Sequence, residues 1–155
     1  MRVVFDPADG RDPGAAADNL RVARGAAATL ALLLGESVQI GLTRRDAQAL
    51  SYAKRLAILA GYDLAVRVER GDLSVQFSTS AGDGARSLAR VIASAVRRET
   101  GQQCPVYRVG YRKLLREAPM VVVYLGPGIP REPNILAAAV AAHLAAALPS
   151  WAAVG

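Results

Sequence analysis

Short apolar runs along this chain alternate with longer stretches in which apolar residues recur every three or four positions. Val3-Val4-Phe5 is a run of the first kind, too short for a helix, and it breaks into the Asp-, Gly- and Pro-rich loop Asp6 to Gly14. From Ala16 to Leu34, residues Leu20, Ala23, Ala27, Leu30 and Leu34 keep helical spacing while Asp18, Arg21 and Arg24 fall elsewhere. Asp12 before Pro13 suits the start of that helix and Gly35 its stop. Ser37 to Thr43 alternates and is rich in β-branched residues, which predicts a strand. A second helix is predicted over Asp46 to Leu59, with Leu50, Ala53, Ala57 and Leu56 or Leu59 facing inward and Gly61 ending it.

Asp63–Glu69 and Leu73–Ser78 both alternate, and Arg70-Gly71-Asp72 between them suits a tight turn. After a Gly-containing loop, Ser80–Gly84, a third helix presents Leu88, Val91, Ile92, Ala95 and Val96 on one side and Arg86, Arg90 and Arg97 on the other. Pro105 to Tyr111 reads as extended, Tyr111 to Glu117 as a short helical turn, and Val121 to Leu125 as a central strand. Gly126 to Pro133 is loop, and an Ala-rich last helix runs from Asn134 to Leu148, where Pro149 stops it. Strands alternating with helices predict an α/β, three-layer domain whose mostly parallel central sheet is flanked by helices.

Composition narrows this picture. With 155 residues and 52% hydrophobic content, the whole of 1–155 is expected to form one domain with a proper core. No uncharged apolar run is long enough to span a bilayer. Met1 and Arg2 lead straight into a strand, without a secretory signal. If Met1 is the natural start, a cytoplasmic location follows; if the chain is a trimmed piece, the cell envelope is the alternative. The single Cys104 excludes an internal disulfide framework and a cysteine-based zinc site, and reads as a small buried hydrophobe. The only histidine, His143, sits in the last helix far from the loops, and no catalytic role is expected of it. Gly126-Pro127-Gly128 lacks the Lys and Ser/Thr of a phosphate loop and is read as turn chemistry.

Six landmarks occur in an order that resembles the zinc-dependent N-acetylmuramoyl-L-alanine amidases, which cut peptidoglycan. The opening Asp6-Pro7-Ala8-Asp9-Gly10-Arg11-Asp12-Pro13-Gly14-Ala15 resembles that family's D-P-G-H-G-G-x-D-x-G-A loop. Thr43-Arg44 matches its T-R, and Leu50-Ser51-Tyr52 with Arg55 its L-S-L-x-x-R helix. Tyr62 to Gly71 is similar to its A-D-L-F-V-S-I-H-A-N strand, and Ser87 to Ile92 to its serine-initiated helix, one residue tighter. Leu115-Arg116-Glu117-Ala118-Pro119-Met120 through Ile129 resembles its L-R-x-A-P-M-P-A-V-L-V-E-x-G-F segment.

The resemblance implies a zinc site, and at that site the chain departs from the family. A hydrolytic zinc needs three protein ligands, an open position for water and a carboxylate base. Carried over residue by residue, the first His position holds Asp9 and the second Glu69. The helix Glu falls at Ala17, beside Asp18 and Asn19, and the general-base Glu falls at Gly126, which has no side chain to move a proton. The expectation is an amidase-like domain that is catalytically silent, carries no cofactor and acts by binding a glycan, a peptide or a protein. An alternative is a hydrolase with a rebuilt carboxylate site, in which Asp9, Glu69 and Asp18 hold magnesium, manganese or calcium. Charge balance favours the metal-free version, because Arg67 and Arg70 flank Glu69 and Arg11 follows Asp9.

Net charge changes the picture once more. Between Gly84 and Glu117 stand Arg86, Arg90, Arg97, Arg98, Arg108, Arg112, Lys113 and Arg116 against Glu99 and Glu117, so this segment carries the whole net charge of +6. It reads either as a solvated basic surface or as a docking face for an anionic partner, with Tyr107 and Tyr111 placed for stacking. Nucleic acid is one such partner, although no nucleic-acid motif is present. The Ala-rich last helix with Trp151 either covers an interface or closes the core.

Overall fold

The computed structural model describes residues 1–46, 48–78, 83–110, 120–125 and 132–152. Strand β1, Arg2–Pro7, lies inside the sheet, which is why Val3, Val4 and Phe5 are all apolar rather than alternating. Helix α1, Pro13–Leu34, follows it. Asp12 caps this helix by accepting from the Ala15 N–H at 2.8 Å, Pro13 occupies its first turn, and Gly35 ends it at φ 56°. Strand β2, Gln39–Leu42, runs parallel to β1. Helix α2, Tyr52–Leu59, and strand β3, Leu64–Arg70, come next, with β3 parallel to β1 on its other side.

Strand β4, Ser74–Ser78, leads to helix α3, Asp83–Thr100, and to the short strand β5, Val106–Val109. Strand β6, Met120–Leu125, precedes helix α4, Glu132–Ala152. The sheet order is β2-β1-β3-β6-β4-β5, parallel throughout except where β4 meets β6. Helices α1, α4 and α3 pack side by side over one face. The large core there joins Val3, Phe5, Val66, Val123, Leu30, Leu88, Ile92 and Val140. On the opposite face a smaller cluster gathers Val4, Ala65 and Val122 beneath Leu59 of α2. This is the expected three-layer α/β arrangement. No helix among the described residues is long and apolar enough to cross a membrane.

The fold corrects four local expectations. The second helix begins six residues later than Asp46, because Ser51 accepts from the Lys54 N–H at 3.2 Å and so sets the cap. Its inward face is Arg55 and Leu59, while Ala53 and Ala57 are exposed. The strand expected over Ser37–Thr43 is trimmed to Gln39–Leu42 by a short 3-10 turn, Gly35–Ser37. The last helix runs on through Pro149 to Ala152.

The fourth correction concerns the hairpin. Strands β3 and β4 are joined by three residues but are not neighbours, since β6 is inserted between them. A strand as apolar as Val121 to Leu125 takes the central slot, and the connection must cross its carboxyl end. At the crossing a Cβ on Gly71 would stand 2.8 Å from Cδ1 of Tyr124, so any larger residue there would have to displace the Tyr124 ring. The proposed turn over Tyr111–Glu117 lies outside the described residues.

Candidate functional site

The site is built at the carboxyl end of β1. Asp6 is fully buried there, and a buried carboxylate must be paired and hydrogen-bonded. The Thr43 hydroxyl donates to its Oδ1 at 2.5 Å, Arg55 donates to the same oxygen, and Arg67 Nη1 donates to Oδ2 at 2.6 Å. Arg55 is buried in α2 and bridges to the next acid, its Nη2 lying 2.6 Å from Oδ1 of Asp9. Arg44, also buried, sits 3.5 Å from Asp9.

Arg44 also holds the loop backbone. It donates from Nε to the Pro7 carbonyl at 3.2 Å, and from Nη2 to the carbonyls of Ala8 and Ala16 at 2.6 and 3.1 Å. Gly10 closes the same turn at φ 77°, where a Cβ would meet the Ala16 nitrogen at 2.5 Å. Arg44 and Arg55 thus hold the loop and Arg67 the end of β1, three arginines set against the three carboxylates Asp6, Asp9 and Glu69.

Glu69 lies on β3 with its Oε2 3.5 Å from Nε of Arg67. Burial pushes the Arg67 guanidinium down, but Asp6 and then Glu69 outweigh it and hold its pKa above the ordinary value. Burial lowers the pKa of Arg44, partly offset by Asp9. Farther out, Glu132 at the start of α4 is buried and accepts from Arg70 Nη1 at 2.6 Å, with Arg21 Nη2 at 3.7 Å. Arg70 also stands 3.6 Å from Asp18.

A groove of about 820 Å³ opens over the carboxyl ends of β1, β3 and β6. Glu69, Gln76, Tyr107 and Tyr124 line it from the strands, and Gly10, Arg11 and Asp12 from the first loop. Its walls carry donors, acceptors and two aromatic rings, a mixture suited to a polar, extended ligand.

The sequence-predicted site residues fall in different places. Glu69 lines the groove, whereas Asp9 is drawn to the α2 side by Arg55. Ala17 and Asp18 are exposed on α1, and Asp18 pairs with Arg21 and Arg70 rather than joining Asp9. Arg11 was expected to balance Asp9; that charge comes instead from Arg44 and Arg55. Among the described residues, no group of three or more His, Cys, Asp and Glu comes together to hold a metal ion. Arg86, Arg90, Arg97 and Arg108 are exposed on α3 and β5. Arg112, Lys113, Arg116, Gly126 and the side chain of Trp151 lie outside the described residues. Cys104 is buried and His143 half-buried, both away from the groove lining.

Sequence reasoning missed Glu132 and the pairing roles of Arg44 and Arg55. An Arg breaking the apolar stripe of a short helix was the available sign for Arg55; nothing local marks the burial of Glu132.

No protein-family profile matches the chain, and no curated protein does. Solved structures do. An N-acetylmuramoyl-L-alanine amidase from Clostridium difficile 630 superposes with a TM-score of 0.78 at 18% identity, over 97% of each chain. The amidase AmiC2 of Nostoc punctiforme gives 0.72 at 21% identity, over 96% of this chain and 97% of that one. The amidase CwlD of Clostridioides difficile, in complex with the GerS lipoprotein, gives 0.68 at 15% identity, over 96% and 98%. At these identities it is the architecture that is shared: this chain has the α/β fold of the N-acetylmuramoyl-L-alanine amidases.

Proposed function

We propose that residues 1–155 act as one amidase-like domain that binds rather than hydrolyses, its groove holding a peptidoglycan fragment or a protein partner. The observation that carries this reading is the capture of Asp9 by Arg55 at 2.6 Å. A carboxylate committed to a buried guanidinium is a poor metal ligand, and Glu69 is balanced by Arg67 at the longer distance of 3.5 Å. Zinc does not fit this donor set: the two acids are balanced by arginines, and Ala17 has no donor at all. The carboxylate alternative with magnesium, manganese or calcium meets the same objection. A protein partner is in keeping with the lipoprotein complex of one structural neighbour.

The test combines calorimetric titration of the purified protein with zinc, manganese and calcium, and titration with a soluble muropeptide. The expected result is no metal binding that Asp9→Ala or Glu69→Ala removes, together with muropeptide binding weakened by Tyr107→Ala and no release of the peptide from the sugar. Tight metal binding lost in both acid variants, or cleavage of the muropeptide, would overturn the reading. A second reading draws on the exposure of Arg86, Arg90 and Arg97 on one side of α3 and of Arg108 on β5. It makes this surface a dock for an anionic polymer such as nucleic acid, and predicts retention on DNA that falls steeply with salt.

A further inference from the structure

Strand β2 is an edge of the sheet: among the described residues it pairs with β1 only. Edge strands are usually blunted by charge, proline or a bulge. From Ser37 to Thr43 there is no charged residue and no proline. The Gln39 N–H donates to the Met1 carbonyl at 3.0 Å and the Thr43 N–H to the Phe5 carbonyl at 3.1 Å. In a parallel ladder this turns the N–H and C=O groups of Ile40 and Leu42 toward the open side. Beside that edge lies a shallow apolar groove of about 310 Å³, formed by Ala27 and Ala31 of α1 with Ile40, Gly41 and Leu42, and flanked by Arg24 and Arg45.

Charged groups stand at both ends of this edge, with the exposed Asp46 next to Arg45 at the carboxyl end of β2. Glu36 is exposed at the amino end of β2, next to the carboxyl terminus of α1, whose last turn has no basic residue to meet its free carbonyls. Arg45 follows the carboxyl end of β2. Arg24 stands about 15 Å back along α1 from Leu34, at that same end. Among the described residues, Arg24, Glu36 and Arg45 have no ion pair.

We propose that this edge is closed by a second copy of the chain, the two β2 strands pairing antiparallel about a two-fold axis at Gly41, which sets Ile40 of each opposite Leu42 of the other. Antiparallel pairing brings Arg45 of each copy beside Glu36 of the other. It also lays the two α1 helices side by side in opposite directions, so that Arg24 of each meets the carbonyl end of the other's α1. Ala27 and Ala31 are small enough to let the helices approach, and the ladder groups of Ile40 and Leu42 gain partners. One sheet then runs through both copies. A self-complementary patch of this kind is what a closed two-fold contact requires. This surface is separate from the groove at the carboxyl ends of β1, β3 and β6.

Sedimentation velocity across a concentration series tests the pairing, on wild type, Glu36→Arg, Arg45→Glu and the double variant. All the substitutions are on exposed side chains, and circular dichroism checks that each variant is folded. Each single reversal is expected to weaken the dimer by about tenfold or more, since like charges then face each other across the seam. The double variant restores opposite charges and is expected to recover the dimer. A monomeric wild type would overturn the proposal. So would a dimer untouched by the single reversals, or singles that dissociate without recovery in the double variant. Wild-type monomers whose β2 edge instead takes up an added extended peptide would likewise overturn it, assigning the edge to a different partner.

Discussion

Asp6 and Arg67 stand directly opposite each other on neighbouring strands, and the guanidinium of Arg67 reaches the carboxylate of Asp6 at 2.6 Å. Asp6 is wholly buried, so the pair exists in a setting where either charge left alone is costly. Asp6→Ala is therefore expected to destabilise the fold by about 3–5 kcal/mol, read from urea unfolding. Arg67→Met leaves Asp6 with Arg55 and Thr43 and is expected to cost less. A loss below that of an ordinary surface substitution in both variants would show that the network contributes no stability.

Arg67 also bears on metal binding. In a background carrying Asp9→His, Glu69→His and Ala17→Glu, zinc affinity by calorimetry is expected to stay weak while Arg67 remains. It is expected to rise when Arg67→Ser is added, because a nearby guanidinium repels the cation. Equal affinity with and without Arg67 would refute that role.

Asp12 closes the first turn of α1 through the Ala15 N–H. Asp12→Ala is expected to cost about 1 kcal/mol, and Asp12→Asn much less, since the amide oxygen still accepts. Thermal melts of the two variants side by side make the comparison.

His143 is the chain's only histidine, and burial lowers its pKa below the ordinary value. A folded pKa below the unfolded one means that the unfolded chain takes up the proton first as pH falls. Stability is thus full above about pH 6.5 and declines on acidification until the folded-state pKa is passed. The melting temperature is expected to drop between about pH 7.5 and 5.5 in wild type and to stay flatter in His143→Gln. Parallel curves for the two proteins would rule out this histidine as the source.

The elements were legible where one local signal governed them. Val3-Val4-Phe5 is buried on both faces, and Asp12-Pro13 opens α1 as its residue types dictate. The stripe on α3 puts Leu88 and Ile92 inward and Arg86 and Arg90 outward. What local pattern misread were choices made by distant residues. The turn chemistry of Arg70-Gly71-Asp72 is genuine, yet the strands it joins are parted by one lying some fifty residues further along the chain. Arg55 sits in a helix whose apolar periodicity suggested alanines facing inward. Its burial follows from Asp6 and Asp9, nearly fifty residues earlier. At the site the sequence showed which residues stand at the family's ligand positions, but not which arginines would hold them.

The insertion of β6 between β3 and β4 sets an order of assembly. As the chain leaves the ribosome, β1, α1, β2 and β3 can associate early, because each parallel neighbour is already present. β4 and β5 can also pair with each other, but their ribbon has no seat on the sheet until Met120–Leu125 has been synthesised. Until then one flank of β3 is an open ladder, the kind of surface on which nascent chains misassociate. The late strand acts as a keystone, joining two half-sheets that remain separate without it.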